Sequence, residues 1–297
     1  MTLSAPPPGP PPGPVPAPAS DPAAPALDAA AARRYRTVTR QALGRPEPDR
    51  ADAGPLAAFV LTHPLAERTV AGLAAGHGPY SLLHLAQEIE LHAPLRPGAA
   101  LEARAELLGA RVEAKGTRLA LRTRLTGRGT GTALADLTTH VLLAGVSAVE
   151  PRGALRTAPA PRQEAPGSKV TRPVAVDREW IARYGEAAGD LNPVHLLPAA
   201  AREAGFPDVI AHGMALVAVA VEEIAERYAG GHADRIRALG ARFAHPALPG
   251  PGTLLELTPP AAPPGHGDTV LFTVRSRDST AVKGGWARLA PAAGGHR

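Results

Sequence analysis

Residues 184–214 read YGEAAGDLNPVHLLPAAAREAGFPDVIAHGM, and the rest of the chain is organised around them. An acid, an amide, a proline and a histidine stand close together: Asp190, Asn192, Pro193 and His195. Upstream, Asp177–Ala188 (DREWIARYGEAA) reads as a helix capped by Asp177 and stopped by Gly189. Pro193 disfavours helical backbone at Asn192, so the polar cluster sits on a kinked loop. Downstream, Ala199–Ala204 is a short helical patch ended by Gly205. His212 and Gly213 then open GMALVAVAVEEIAERY (213–228), apolar nearly all round before it turns amphipathic. A helix apolar on every side is a buried one.

Strands follow that helix. ARFAHPALPGPG (241–252) runs into a proline-rich turn, and Thr253–Thr258, Thr269–Arg277 and Ala281–Leu289 read as strands. The first half of the chain repeats the order. Pro55–Val70 is apolar and partly helical, Tyr80–Glu90 follows, and HAPLRPG (92–98) is a turn. Leu101–Leu108, Arg118–Thr126 and Ala133–Leu143 then alternate in the period of a sheet with one wet face, as in Leu119, Leu121, Thr123 and Leu125 against Ala120, Arg122, Arg124 and Thr126. Glycines at the joins suit hairpins. IELHAPLRPGAALEARAEL (89–107) lines up with ARFAHPALPGPGTLLEL (241–257), apart from a small slip in spacing. The expected fold class is therefore α+β: a sheet wrapped round one long helix, twice in tandem. The expected divisions are a disordered Pro/Ala-rich tail (1–32), a first repeat (33–150), a linker by composition (151–171) and a second repeat (172–297).

Composition narrows the chemistry. The 297 residues include no cysteine, which removes disulfides, thiolate metal sites and cysteine nucleophiles, and fits a reducing compartment. No apolar run approaches the ~18 residues of a membrane-spanning helix, and the first residues lack the charged start and apolar stretch of a signal peptide. The expectation is a soluble, cytoplasmic protein with no membrane partner. The net charge of +5 is carried by arginines spread along strand-like segments, and aromatics make up only 3% of the chain. With few rings to stack on bases and no basic cluster, a nucleic-acid partner is not expected.

The polar cluster has a chemical and a bland reading. A carboxylate beside an imidazole is the minimal equipment to hold and deprotonate a water, and Asn192 offers a donor and an acceptor to orient them. Gly213 opens a buried helix whose first N–H groups lack internal partners and sit at its positive end, a ready oxyanion site. On the bland side, Asp-x-Asn-Pro is also a common turn, and His212 reads by preference as a residue that caps or packs at the helix start. His63, His77, His84, His92, His140, His232, His245, His266 and His296 show no metal-ligand spacing and read as structural. The chain has no G-x-S-x-G elbow, phosphate-binding glycine loop or dinucleotide fingerprint.

YGEAAGDLNPVH (184–195) followed by AGFPDVIAHGM (204–214) resembles the hydratase signature of the MaoC-like (R)-specific enoyl-CoA hydratase/dehydratase family. RFAHPALPG (242–250) is similar to the strand and turn that follow the family's central helix. The resemblance covers residues 172–291 well. Residues 33–150 resemble, more loosely, the degenerate N-terminal repeat of two-repeat members. It implies a tandem (double) hotdog fold, each repeat a curved antiparallel sheet around a central helix. It implies syn addition or removal of water across a trans-2-enoyl thioester of coenzyme A or acyl carrier protein, giving an (R)-3-hydroxyacyl thioester, with no cofactor and no metal. Carried over, Asp190 and His195 hold and activate the water, Asn192 helps fix them, and the Gly213 N–H binds the thioester oxygen. Tyr184, His212 and Met214 are expected along the substrate. Leu197 departs from the acid that the family often carries two places after the histidine, which puts efficiency or loop geometry in question. The first repeat lacks the cluster and is expected to be non-catalytic, with Pro55–Val70 and Tyr80–Leu85 lining an acyl tunnel. Two alternatives stand beside this reading. A thioesterase on the same fold needs its carboxylate placed differently, commonly on the central helix, where Glu222 and Glu223 come late. A non-catalytic thioester-binding subunit is opposed by the intact Asp190/His195 pair. A two-repeat chain works as a pseudo-dimer alone or pairs further as a homodimer; the sequence leaves this open.

Overall fold

The computed structural model describes residues 19–21, 26, 28–52, 54–147, 149–163, 166–261 and 269–290. Most of the expected 1–32 tail lies outside these. Of the rest, β1 (Ala19–Asp21) pairs with a strand of the first half, and α1 (Ala29–Gln41) begins ahead of the expected Arg33. Asp28 supplies the reason for that early start: its Oδ1 accepts the Ala31 N–H at 2.6 Å, satisfying a first-turn donor.

The first half continues with α2 (Gly54–Ala74), β2 (Ser81–Leu91), β3 (Leu101–Glu113), β4 (Gly116–Gly127), β5 (Ala133–Ala144) and the short β6 (Arg152–Gly153). The second half holds β7 (Val170–Val176), α3 (Arg178–Ala188), α4 (Pro193–Leu196), α5 (Pro198–Glu203), α6 (Gly213–Tyr228), β8 (Ile236–Phe243), β9 (Gly250–Thr258), β10 (Thr269–Ser276) and β11 (Ser279–Leu289). Among the described residues one antiparallel sheet contains all of these strands, in the order β1-β3-β4-β5-β2-β8-β11-β10-β9-β7, with β6 pairing β3 off that path. Outward from the centre, each half runs in the same order: the strand after the helix, then the last, the middle and the first of the three that follow. The tandem repeat is thus a structural repeat, the double hotdog. The halves meet where β2 pairs with β8, from Ala86↔Arg242 to Glu90↔Ala238.

The long helix of each half packs on its own strands, α2 on β2–β5 and α6 on β8–β11. The helix α6 is buried from Met214 to Ala225. Its valines are indifferent helix formers. Burial inside the curl of the sheet decides its conformation, as for most protein helices. The acids at its far end are tied down. Glu222, 3% exposed, accepts two bonds from the Arg36 guanidinium (Nε at 2.7 Å, Nη2 at 2.9 Å) and one from Arg40 (3.3 Å). Glu223 is held by Arg45 at 2.7 Å and by Arg227 at 2.5 Å. The buried Arg36 and Arg40 pairs dock α1 across α6. The segment expected as a linker is also engaged with the sheet: Gln163 Nε2 donates to the carbonyls of Thr258 (2.9 Å) and Thr269 (2.7 Å), and β6 pairs with β3.

Candidate active site

The helix α3 is built to deliver Asp190. Asp177 Oδ1 accepts the Trp180 N–H at 2.7 Å to start it, and Gly189 ends it in the left-handed region at φ 72°. The Asp190 N–H returns to the Gly185 carbonyl at 3.0 Å. Asp190 Oδ1 then accepts the Asn192 N–H at 3.3 Å, and Asn192 Oδ1 accepts the Val194 N–H at 3.3 Å, capping the turn that carries His195. Asn192 therefore fixes the loop through the backbone. His195 Nδ1 lies 2.7 Å from the Ile210 carbonyl. A carbonyl only accepts, so Nδ1 carries the proton and Nε2 is left as the basic nitrogen.

His212 buttresses the pair. Its Nε2–H donates to the Asp190 carbonyl at 3.0 Å, and its ring lies 3.8 Å from that of His195 and 5.2 Å from that of Tyr184, centre to centre. Its side chain makes no capping bond at the start of α6; it packs and holds the loop. Gly185 is what lets it approach, since a Cβ there would lie 3.3 Å from the imidazole and 2.8 Å from the Asp190 carbonyl oxygen.

These residues line a cavity of about 660 Å³ that draws on both halves. From the second half come Asp190, Asn192, His195, His212, Gly213 and Met214; from the first come residues of α2 (His63, Ala66, Glu67 and Val70) and the run Tyr80–Leu85. Leu121, Thr139 and Val141 extend the wall into the first half's sheet. Tyr184 is not part of that lining, which corrects its expected place along the substrate. It is 1% exposed, behind the site, with its hydroxyl 3.1 Å from that of Tyr35. The hydrophobic neighbourhood of α1 and α3 captures the ring, and His212 stands between it and the cavity. Gly213 is small for a reason the sequence does not reveal: a Cβ there would sit 2.6 Å from the Phe243 ring. Phe243 closes against the helix start and tilts on His84 at 4.7 Å. Gly213 itself lines the cavity, and as the first residue of α6 its N–H has no intrahelical partner.

Sequence reasoning missed His63, His84 and Glu67. His63 Nε2 lies 3.3 Å from Glu67 Oε1 and 3.6 Å from Asp190 Oδ2. The signal was the spacing: His63 and Glu67 are four apart, neighbours on one helix face. Only the pairing of β2 with β8 could bring that face to Asp190.

The electrostatics favour a neutral base beside an ionised acid. Burial pushes His195 down, and Asp190 only partly offsets it. Burial and the adjacent His195 push His212 down to about 4. Burial alone would raise the Asp190 carboxyl; His212, His63, His195 and the Asn192 N–H outweigh it and hold the group below the ordinary carboxylate range. Asp190, His195 and His212 each place a ligand-type atom within 4.8 Å of the others, as do His63, Glu67 and Asp190. A water with two hydrogen bonds near 2.8 Å bridges such a gap. Mixed nitrogen and oxygen sets of this kind also suit a divalent transition ion, although His195 Nδ1 and His212 Nε2 are already committed to carbonyls.

A family model described as "MaoC like domain" matches residues 160–256, the span that contains the whole Asp190–Gly213 cluster. This part of the chain is similar to a MaoC-like domain. Among curated relatives, 3-hydroxyacyl-thioester dehydratase Y of Mycobacterium tuberculosis is 34% identical over 178 residues, 58% of this chain and 60% of that protein. The peroxisomal enoyl-CoA hydratase 2 of Arabidopsis thaliana is 28% identical over 188 residues, 61% of each. The chain thus spans about three fifths of the length of these relatives. Among solved structures, a MaoC-like dehydratase from Phytophthora capsici superposes with a TM-score of 0.69, at 20% identity, over 93% of this chain and 96% of that one. A Mycobacterium tuberculosis protein described as having a double hotdog fold gives 0.54, at 16% identity, over 92% and 96%. At these identities the superpositions speak to the fold. They extend it to the first half, beyond the matched MaoC-like domain. Among the described residues, no helix is long and apolar enough to cross a membrane.

Proposed function

We propose that this protein adds water reversibly to trans-2-enoyl thioesters of coenzyme A or acyl carrier protein, giving (R)-3-hydroxyacyl thioesters. The second repeat (172–297) supplies the chemistry, and the first (33–150) supplies cavity wall. The observation that carries the reading is the closeness of Asp190 and His195, a ligand-type atom of each within 4.8 Å, with His195 Nδ1 committed to the Ile210 carbonyl so that Nε2 is its basic nitrogen, and with Gly213 opening a buried helix on the same cavity. In the forward direction the water bonds through oxygen to Cβ as one of its protons passes to the Asp190–His195 pair. The Cα=Cβ electrons move onto the thioester oxygen, where the Gly213 N–H meets the growing charge. They return to Cα as it takes the proton. The names of the relatives, dehydratase and enoyl-CoA hydratase, agree with this class of reaction.

A thioesterase reading is less well supported, because Glu222 and Glu223 are occupied by arginines at the far end of α6. The test is incubation with trans-2-enoyl-CoA substrates of several chain lengths, following loss of the conjugated-thioester absorbance, free thiol release and product chirality. Loss of absorbance with (R) product, abolished in Asp190→Asn and His195→Ala, supports the reading. Thiol release or an inert wild type overturns it.

A further inference from the structure

We propose that His63 and Glu67, on the long helix of the repeat without the catalytic motif, form a positioning pair that aims Asp190 of the other repeat. The inference rests on the hydratase reading for its kinetic consequence, but the contact itself stands on geometry. His63 Nε2 is buried, points between two carboxylates at 3.3 and 3.6 Å, and reaches no fully formed hydrogen bond. Its ring is stacked on Phe59, 4.9 Å between centres and 28° between planes, so the side chain is held from its flat face. A buried nitrogen between two acceptors is satisfied only when it carries a proton, and a carboxyl group on either side favours the cationic form of the ring over the neutral Nε2–H tautomer.

The groups facing His63 determine where the charge resides. Its own helix brings Glu67, the loop after α3 brings Asp190, and β2 brings His84; His195 and His212 stand beyond Asp190. Burial and the nearby His63 push His84 down to about 4, and burial lowers His195 and His212. Burial alone would lower His63 too, but Glu67 and Asp190 outweigh it and raise it. The positive charge therefore rests on His63. Held there, it keeps Asp190 ionised and draws Oδ2 toward the first repeat. Oδ1 is already pinned by the Asn192 N–H. With Oδ1 bonded and Oδ2 drawn toward His63, the carboxylate plane keeps a preferred direction toward the water shared with His195. The repeat that lost the motif thus contributes more than wall: it orients the motif of the other.

His63→Gln and Glu67→Gln test this in the full-length protein. Two readouts separate positioning from folding: the pH profile of enoyl-thioester hydration, and histidine ring titration by NMR. The expected result is a fall in kcat of about 10–100-fold in His63→Gln with KM within about twofold, as for a misaligned reacting group. The acid limb of the kcat profile moves to higher pH, because Asp190 loses a cation. Glu67→Gln gives a smaller fall and lowers the titration midpoint of His63. In Asp190→Asn the same midpoint falls, whether or not the protein turns over any thioester. An unmoved acid limb, or a rise in KM with kcat unchanged, overturns the positioning role. A His63 midpoint indifferent to Asp190→Asn overturns the pairing itself. An inert wild type with the midpoint shift intact refutes the hydratase reading and leaves the pairing standing.

Discussion

Gly185→Ala is the sharpest test of how the loop is held. In an exposed helix this change stabilises by about 0.8–1 kcal/mol. In α3 the new methyl meets the Asp190 carbonyl oxygen at 2.8 Å and the His212 ring at 3.3 Å. The nearer of these is backbone, already fixed by the Gly189 turn and by the Asp190 N–H on the Gly185 carbonyl, so it cannot swing aside as a flexible side-chain end can. Overpacking of this kind costs about 1–3 kcal/mol, and losing the His212–Asp190 hydrogen bond costs about 0.5–1.5 kcal/mol more. The balance is a net destabilisation of roughly 1–3 kcal/mol. The catalytic effect is larger. A shift near 1 Å in a reacting group costs on the order of 100-fold, and both Asp190 and the ring behind His195 would move. Gly72→Ala in α2 is the control, since its Cβ meets nothing within 4 Å. It is expected to gain up to about 1 kcal/mol with turnover unchanged. Thermal unfolding and enoyl-thioester hydration are measured on both variants. Full turnover in Gly185→Ala would refute the claim that this close approach sets the site.

Three further outcomes follow from the same structure. Asp190→Asn and His195→Ala each lower kcat by about 10²–10⁴-fold, the usual worth of a positioned acid or base, with Tm read alongside to exclude unfolding. Glu222→Ala costs about 3–5 kcal/mol in urea unfolding, because it strips the buried Arg36 of its bidentate partner; an effect under about 1 kcal/mol would mean that Asp52, at 3.1 Å, suffices. Stability falls as pH drops from 6.5 toward 4. His84 and His212 are lowered from 6.5 to about 4, so they are neutral when folded and take up protons on unfolding. Their contribution is complete above pH 6.5 and is lost as pH falls through about 4, at up to roughly 1.4 kcal/mol per pH unit per group. Asp190 acts only below its ordinary 3.8, and the raised His63 acts in the opposite sense only above 6.5. A flat stability profile between pH 4 and 6.5 would contradict the burial of these rings.

Much of this protein was legible before any coordinates. Strand alternation, the wholly apolar start of 213–228 and the repeated order of elements determine two sheet-and-helix units, because these are local periodicities with local causes. The Asp177 cap, the Gly189 stop and the Asp190-x-Asn192-Pro193 turn are likewise local, and each falls where its side-chain chemistry requires. What the sequence could not determine is what meets across the chain. His63 and Glu67 are a plain helix-face pair until β2 joins β8 and carries α2 to the loop after α3. Tyr184 looks like part of the motif, yet Tyr35, distant in sequence, holds it behind the site. Gly213 owes its missing side chain to Phe243, thirty residues on, as much as to any ligand. Local propensity specifies elements, whereas distance between side chains is set by how elements pack. The polar cluster was therefore readable in the sequence, and the histidine that completes its surroundings was not.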